Sequence, residues 1–202
     1  MIGLGASMKF LWNLLAIIGI VALIGGGFAY SKFKGEVDAF NELDSGAKKV
    51  YSDMWTKLKE TGNSADATVW KKALEDGVSP EDAEEAMDSA AVELGIMAVG
   101  KLPLSVQVEK MTDKKQRFLK IFQYCNPITA MTMVDYSDAF AAYLPCRISM
   151  IEDKQGKFWL YAVDMDMMIS GGKTLPDKLL KEATKVKEVM LEIMARGASG
   201  EF

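Results

Sequence analysis

CRISMIEDKQGKFWLYAVDM, residues 146–165, places two apolar runs on either side of a polar turn. The runs, residues 146–152 and 158–165, are rich in the β-branched and aromatic residues that strands favour. Between them, Asp153-Lys154-Gln155-Gly156 supplies the polar and glycine residues of a tight connection. The stretch therefore predicts a β-hairpin, and the fold is expected to contain a β-sheet that includes it.

The segments around this hairpin alternate between strand and helix patterns. Residues 67–74 and 117–124 predict two further strands, and residues 176–196 predict an amphipathic helix that ends at Gly197. Ser79, which precedes a proline and two acids, marks the start of another helix. The predicted fold class is α+β: a small, curved, mostly antiparallel sheet with helices packed on one face.

Near the N-terminus the chain carries a long apolar run, FLWNLLAIIGIVALIGGGFAY, residues 10–30. Asn13 is its only strongly polar side chain, and about 20 such residues cross the hydrocarbon core of a bilayer. Trp12 and Tyr30 stand near its ends, where amphipathic rings favour the membrane interface. The alternative is a cleaved signal peptide, but its apolar core is typically roughly 7–15 residues. The sequence therefore predicts a retained, single-pass anchor.

This anchor sets the predicted organisation: an N-terminal tail (1–9), a transmembrane helix (10–31), an amphipathic helical stalk (32–62) and an α+β domain (63–202). Apolar residues recur three and four apart along the stalk, with a break near Asp44-Ser45-Gly46. The sequence leaves open whether this stripe packs on its own domain or against partner subunits. The few flanking lysines hardly favour either orientation, but a short tail before a large domain favours export. The predicted location is the inner membrane, with the domain on the periplasmic side.

The composition excludes several classes of function. The chain contains no histidine, which excludes Ser-His and Cys-His catalysis, histidine metal sites and His-ligated haem. Its net charge is −4 and acids and bases are mixed along it, so no basic patch predicts a nucleic-acid partner. No cofactor is expected, and the residues favour a protein that is not an enzyme.

Cys125 and Cys146 are the two cysteines of the chain. In an exported domain such a pair suggests a disulfide. Cys125 ends one predicted strand and Cys146 begins the next, so parallel neighbours would hold them too far apart for a bridge. The sequence leaves open a disulfide, two buried structural thiols, or a redox or metal role.

Five further residues complete the candidate ligand site around the cysteines: Asn126, Pro127, Pro145, Arg147 and Glu152. In a functional interpretation they form a pocket rim, where Arg147 and helix N-terminal amides hold an anion or a carboxylate. In a structural interpretation Asn126 caps a helix, Pro127 takes its first position and Arg147 pairs with an acid such as Glu152.

Met165 and Met167 would share one face if the hairpin strand extended through them. Thioethers suit Cu(I), so these two are weak metal candidates, although filling of a core or an interface is better supported. Asp164 and Asp166 would then lie on the opposite face. Paired acids can serve acid–base chemistry, but solvent exposure is the expectation here.

Several motifs follow one another in order between residues 67 and 202. They are Gly77-Val78-Ser79-Pro80-Glu81-Asp82, Tyr124-Cys125-Asn126-Pro127, Leu144-Pro145-Cys146-Arg147-Ile148, Glu152-Asp153 and Gly156-Lys157-Phe158-Trp159. Together they resemble the family called domain of unknown function 302. Met165-Asp166-Met167-Met168 and the terminal Gly-Glu-Phe are similar to a membrane-anchored bacterial branch of it. The resemblance implies a bacterial protein with a curved α+β sheet, often dimeric, and implies no catalytic residue.

These observations favour a non-enzymatic accessory or assembly module, anchored in the membrane, that packs in or on a larger bacterial membrane complex. The expected partners are the lipid bilayer and either other subunits of the complex or copies of the same chain. The alternative is an extracytoplasmic domain that binds a small ligand, a redox partner or Cu(I) in the region of Cys125, Cys146 and Arg147.

Overall fold

A computed structural model of the protein describes residues 4–202, with side chains from residue 11 onward. The chain divides into two compact units, residues 1–44 and 45–202. The helices are α1 Leu4–Asn41, α2 Ala47–Thr61, α3 Ser64–Ala67, α4 Pro80–Glu93, α5 Leu104–Thr112, α6 Pro127–Tyr136, α7 Asp166–Ser170 and α8 Asp177–Ser199, with a 3₁₀ helix at Asp138–Tyr143. The strands are β1 Val69–Ala73, β2 Met97–Leu102, β3 Leu119–Cys125, β4 Cys146–Glu152 and β5 Phe158–Val163.

Helix α1 is long and apolar enough to cross a membrane. Its 38 residues extend about 57 Å at 1.5 Å per residue, against about 30 Å for a hydrocarbon core. The most apolar part of Leu11–Asn41 has a mean hydropathy of 2.1, and none of it is buried. The predicted membrane helix is confirmed in length and composition, and α1 continues into the first part of the predicted stalk. Residues 1–3 of the predicted tail lie outside the described residues, and residues 4–9 already belong to α1.

The second part of the predicted stalk, α2, belongs to the globular unit. The break predicted near Asp44-Ser45-Gly46 is present, because α1 ends at Asn41 and α2 begins at Ala47. The Tyr51 hydroxyl of α2 donates a 2.8 Å hydrogen bond to the carbonyl oxygen of Gly171, just beyond α7. The globular unit therefore starts at residue 45, whereas the sequence predicted a domain from residue 63.

The sheet is built around the predicted hairpin. Its strand order is β1-β5-β4-β3-β2, and all neighbours are antiparallel. At the β4–β5 turn the Asp153 carboxylate accepts hydrogen bonds from the backbone amides of Gln155 and Lys157, both at 2.9 Å. It also accepts one from the Trp159 indole at 2.8 Å. One acid thus fixes the hairpin connection.

One face of the sheet is buried against helices α4 and α8. Alternate residues of the three central strands point into this core, namely Phe122, Tyr124, Ile148, Met150, Leu160 and Ala162. The predicted start of α4 is confirmed: the Ser79 hydroxyl accepts from the Asp82 amide at 3.0 Å, and the Asp82 carboxylate accepts from the Ser79 amide at 3.1 Å. The α+β class with an antiparallel sheet is confirmed as well.

Gly197 lets α8 approach α4 closely. The predicted helix end at Gly197 is wrong, because α8 continues to Ser199 and ends at Gly200, which has a φ of 69°. A Cβ on Gly197 would stand 2.4 Å from Met87 Cγ and 3.3 Å from Leu160 Cδ1. Gly197 therefore allows α8 to pack closely against Met87 of α4, and it does not end the helix.

Candidate functional site

The ends of β3 and β4 bring the two cysteines to the same end of the sheet. Tyr124 pairs with Cys146 across the antiparallel strands, so Cys125 follows directly at that end. The parallel arrangement that would have separated the cysteines does not occur. Both cysteines are free thiols, so the disulfide that the sequence allowed is not formed in this structure.

Asn126 and Pro127 begin α6 in the way that the structural interpretation predicted. The Asn126 side-chain oxygen accepts a 3.2 Å hydrogen bond from the Thr129 amide, and Pro127 takes the first helical position. Pro145 follows a cis peptide bond from Leu144 and leads into β4. These residues therefore set the path of the chain around the cysteines.

Arg147 and Glu152 do not pair, and the prediction of an ion pair between them is wrong. They lie five residues apart on β4, about 17 Å at 3.3 Å per residue, with side chains on opposite faces. Arg147 is exposed, whereas the Glu152 carboxylate accepts a 3.3 Å hydrogen bond from the Phe118 amide. Glu152 thus lies outside the candidate site.

A small cavity of about 40 Å³ lies beside the two thiols. We call it the sulfur cavity; it is lined by Cys125, Asn126, Thr129, Ala130, Met133, Phe140, Tyr143, Leu144, Cys146, Met165, Met168, Ile169, Ala183 and Val186. Arg147 instead lines an adjacent cavity that shares Cys146. The structure thus brings together the cysteines and Asn126 of the predicted site, places Arg147 in the adjacent cavity beside Cys146, and leaves Glu152 outside both cavities.

A larger cleft of about 510 Å³ lies between α2 and the segment after β5. We call it the charged cleft; it is lined by Gly46, Lys49, Val50, Asp53, Met54, Ala67, Thr68, Tyr143, Val163, Asp164, Asp166, Met167, Met168, Ser170 and Lys187. Its volume falls within the range of roughly 300–1,000 Å³ that small-molecule sites occupy. The sulfur cavity is far below that range.

Three ion pairs lie in or beside the charged cleft. The ion pairs are Lys49 with Asp53, Lys187 with Asp166, and Lys57 with Asp164 at 3.7 Å. Asp53 raises the pKa of Lys49 above its ordinary value by a hydrogen bond and by its charge, and the charges of Asp166 and Asp164 add to this effect. Asp53 on α2, together with Asp164 and Asp166 after β5, therefore raises the pKa of the Lys49 ammonium group.

Two expectations about residues 164–167 are wrong for one reason. Strand β5 ends at Val163 and the chain then turns into α7, so the strand alternation does not continue. Asp164 and Asp166 are half-buried in the charged cleft instead of lying on a solvated face, with side chains 23% and 39% exposed. Met165 is buried beside the sulfur cavity while Met167 lines the charged cleft, so they do not share a face.

Sequence reasoning missed the lysines and one acid of the charged cleft. Lys49 and Asp53 are four residues apart on α2, a spacing that also describes an ordinary solvated ion pair. Lys187 comes from α8, more than 130 positions further along the chain than Asp53. Only the tertiary packing of α2 and α8 around α7 brings these groups to Asp164 and Asp166.

The two thiols are expected to react slowly at neutral pH. Burial raises the pKa of Cys125, and burial together with the nearby Cys125 raises the pKa of Cys146. Since the thiolate is the reactive form, a raised pKa lowers the reactive fraction at neutral pH, and the rate should climb as pH rises past the ordinary value of about 8.5. A chromogenic thiol titration of the folded chain should find two thiols.

In the variant Cys125→Ser, the thiol reaction that remains in this titration belongs to Cys146. Absence of titratable thiols before reduction, or labelling at neutral pH as fast as that of a free cysteine, would contradict the structure.

The protein is a small α+β domain with a five-stranded, open, antiparallel sheet and helices packed on it. An apolar helix that is able to cross a membrane precedes this domain in the sequence. The chain belongs to the family described as domain of unknown function DUF302, whose model matches residues 70–197. A similar solved structure is the crystal structure of an uncharacterized conserved DUF302 protein from Bacillus stearothermophilus, which is 12% identical with a TM-score of 0.53. The match covers 64% of this chain and 97% of that one, and it supports the shared fold. None of the curated proteins compared with the chain matches it.

Proposed function

We propose that this protein is a membrane-tethered, non-enzymatic binding domain that takes a small amine-bearing molecule in the charged cleft. The observation that carries the proposal is the cleft itself, because its volume of about 510 Å³ suits a small organic ligand. The apolar side chains of Val50, Met54 and Val163 offer contact for a carbon skeleton.

The charges of the cleft select the ligand class. Its lining holds three acids, Asp53, Asp164 and Asp166, and two lysines, Lys49 and Lys187, which gives a formal charge of −1. The Lys49 side chain is 81% exposed, so a ligand ammonium can replace it with little loss of packing. We therefore infer an amine or a zwitterion, whose ammonium group donates charge-assisted hydrogen bonds to these carboxylates.

Binding of matched probes to the full chain in mild detergent tests this proposal. Amines, amino acids and carboxylic acids of the same carbon skeleton are titrated by calorimetry, and the amines and amino acids are expected to bind while the carboxylic acids do not. The double variant Asp164→Asn/Asp166→Asn should weaken binding about tenfold or more, since one lost charged hydrogen bond is worth about 1.5 kcal/mol.

Asp135→Asn is the matched control, because Asp135 is exposed on α6 and lies outside the cleft lining. Binding of the carboxylic acids alone, or equal binding by the double variant and the wild type, would overturn the proposal.

A second candidate is the accessory or assembly module that the sequence favoured. An apolar patch supports it: Met97, Ile128 and Met131 are 57%, 79% and 58% exposed. Met97 lies on the edge strand β2 and pairs with Cys125, three residues before Ile128, so these side chains share one corner of the domain. Exposed apolar patches of this kind commonly bind other proteins. A photoreactive residue at Ile128, but not at Lys110, should then capture a subunit or a second copy in native membranes.

We propose that the protein lies in the inner membrane of a bacterium, with the domain on the periplasmic side. The length and apolar composition of α1 support the membrane location, and a solved DUF302 protein from Bacillus stearothermophilus supports the bacterial source. Protease added outside sealed spheroplasts should then digest the domain, and protection of the domain there would place it in the cytoplasm instead.

A further inference from the structure

We propose that the sulfur cavity binds one Cu(I) ion through the thiolates of Cys125 and Cys146 and the thioethers beside them. This site is separate from the charged cleft and does not depend on the ligand proposed there.

Sulfur is concentrated around this cavity. Five of its fourteen lining residues carry sulfur: Cys125, Cys146, Met133, Met165 and Met168. The whole chain has 14 methionines and two cysteines among 202 residues, so the lining holds several times the average share. Thiolates and thioethers are soft ligands that select Cu(I) over harder cations.

The size of the cavity favours an ion over an organic ligand. One water-sized sphere needs at least roughly 10–15 Å³ by this measure, so about 40 Å³ holds an ion or a few small atoms. An organic ligand would need several times that volume.

The surrounding chemistry disfavours other metals. The chain has no histidine, and the described residues contain no group of three or more Cys, Asp or Glu side chains placed to hold a metal ion. Zinc prefers four thiolate, imidazole or carboxylate ligands. Two thiols with several thioethers in apolar surroundings suit a soft monovalent ion instead.

The protonation state of the thiols makes binding depend on pH. Binding replaces two S–H bonds by two S–Cu bonds and releases two protons, with no change in oxidation state. The affinity for Cu(I) should therefore fall as the pH is lowered.

The sulfur cavity borders the charged cleft. Tyr143 and Met168 line both spaces, so they form the boundary between them.

Anaerobic titration of the full chain with Cu(I) against a chromophoric chelator tests the site. The wild type should take one Cu(I) per chain from the chelator, and Cys125→Ser/Cys146→Ser should lose it. Met133→Leu should weaken the affinity for Cu(I) by about tenfold or more. Loss of an outer-shell partner typically lowers the affinity of a metal site by about 10–100-fold, and loss of a thioether ligand should cost at least as much as the lower figure. Met133 is a useful probe because it lines the sulfur cavity and not the charged cleft.

Met150→Leu is the matched control, since Met150 is a fully buried core methionine that lines neither space. Both leucine variants roughly conserve side-chain volume and should keep the fold, which a thermal melt verifies. The proposal is overturned if the wild type leaves all Cu(I) with the chelator, if the double serine variant retains it, or if Met133→Leu and Met150→Leu bind alike. Calorimetry with the amine probes is independent of each result, so failure of one proposal leaves the other standing.

Discussion

The double variant Ile20→Arg/Leu23→Arg, in the middle of α1, should no longer insert stably in a membrane. Both side chains lie on the apolar run and are exposed, 56% and 78%. An arginine at the centre of a membrane helix costs about 2.5–3.5 kcal/mol, so the pair costs about 5–7 kcal/mol. Alkaline extraction of membranes should leave the wild type in the pellet and release the double variant.

Val37→Arg provides the control for this experiment. Val37 lies on the same helix and is 55% exposed, but it follows the apolar run that ends near Tyr30. Because about 20 residues already cross the hydrocarbon core, an arginine there should leave extraction unchanged. Release of the wild type by alkali, or a purified mass well below 22.2 kDa, would contradict a retained anchor.

The sequence predicted the elements that rest on local patterns. The apolar run, the β4–β5 hairpin and the Ser79 cap all depend on residues within about twenty positions of one another, where hydropathy, turn chemistry and capping act directly. The predicted end of α8 is wrong because a glycine can either end a helix or allow close packing. Gly197 resembles a helix terminator, and only the position of Met87 on α4 shows that it is a packing residue.

The candidate site was predicted only in part because it depends on distant segments. Cys125 and Cys146 lie together because β3 and β4 are antiparallel, a relation that the intervening residues did not fix. A strand pattern predicts that Asp164 and Asp166 lie on a solvated face, whereas the chain leaves β5 after Val163 and both acids line the cleft. The charges opposite them come from α2 and α8, so no local pattern could identify the cleft.

Gly197→Ala should destabilise the globular unit although alanine is the better helix former. Alanine gains about 1 kcal/mol over glycine inside a helix. Against this, the new methyl group would stand 2.4 Å from Met87 Cγ and 3.1 Å from Met87 Sδ, and both residues are buried. Overpacking of a core typically costs about 1–3 kcal/mol, so we expect a net loss of up to about 2 kcal/mol, and a larger loss for Gly197→Val. Urea unfolding of the full chain in detergent, followed by tryptophan fluorescence, measures it; Gly172→Ala, where a Cβ meets nothing within 4 Å, should be neutral.

A double-mutant cycle separates the contact with Met87 from a general effect on α8. Met87→Ala alone should cost about 2–5 kcal/mol, because it leaves a cavity where a fully buried methionine packs. In the combined variant the Gly197→Ala methyl group no longer meets Met87 Cγ and fills part of that space. The two changes together should therefore cost less than their sum, by about 0.5–3 kcal/mol. Strict additivity would mean that Gly197 acts on the helix alone, and the close approach of α8 to α4 would then have another cause.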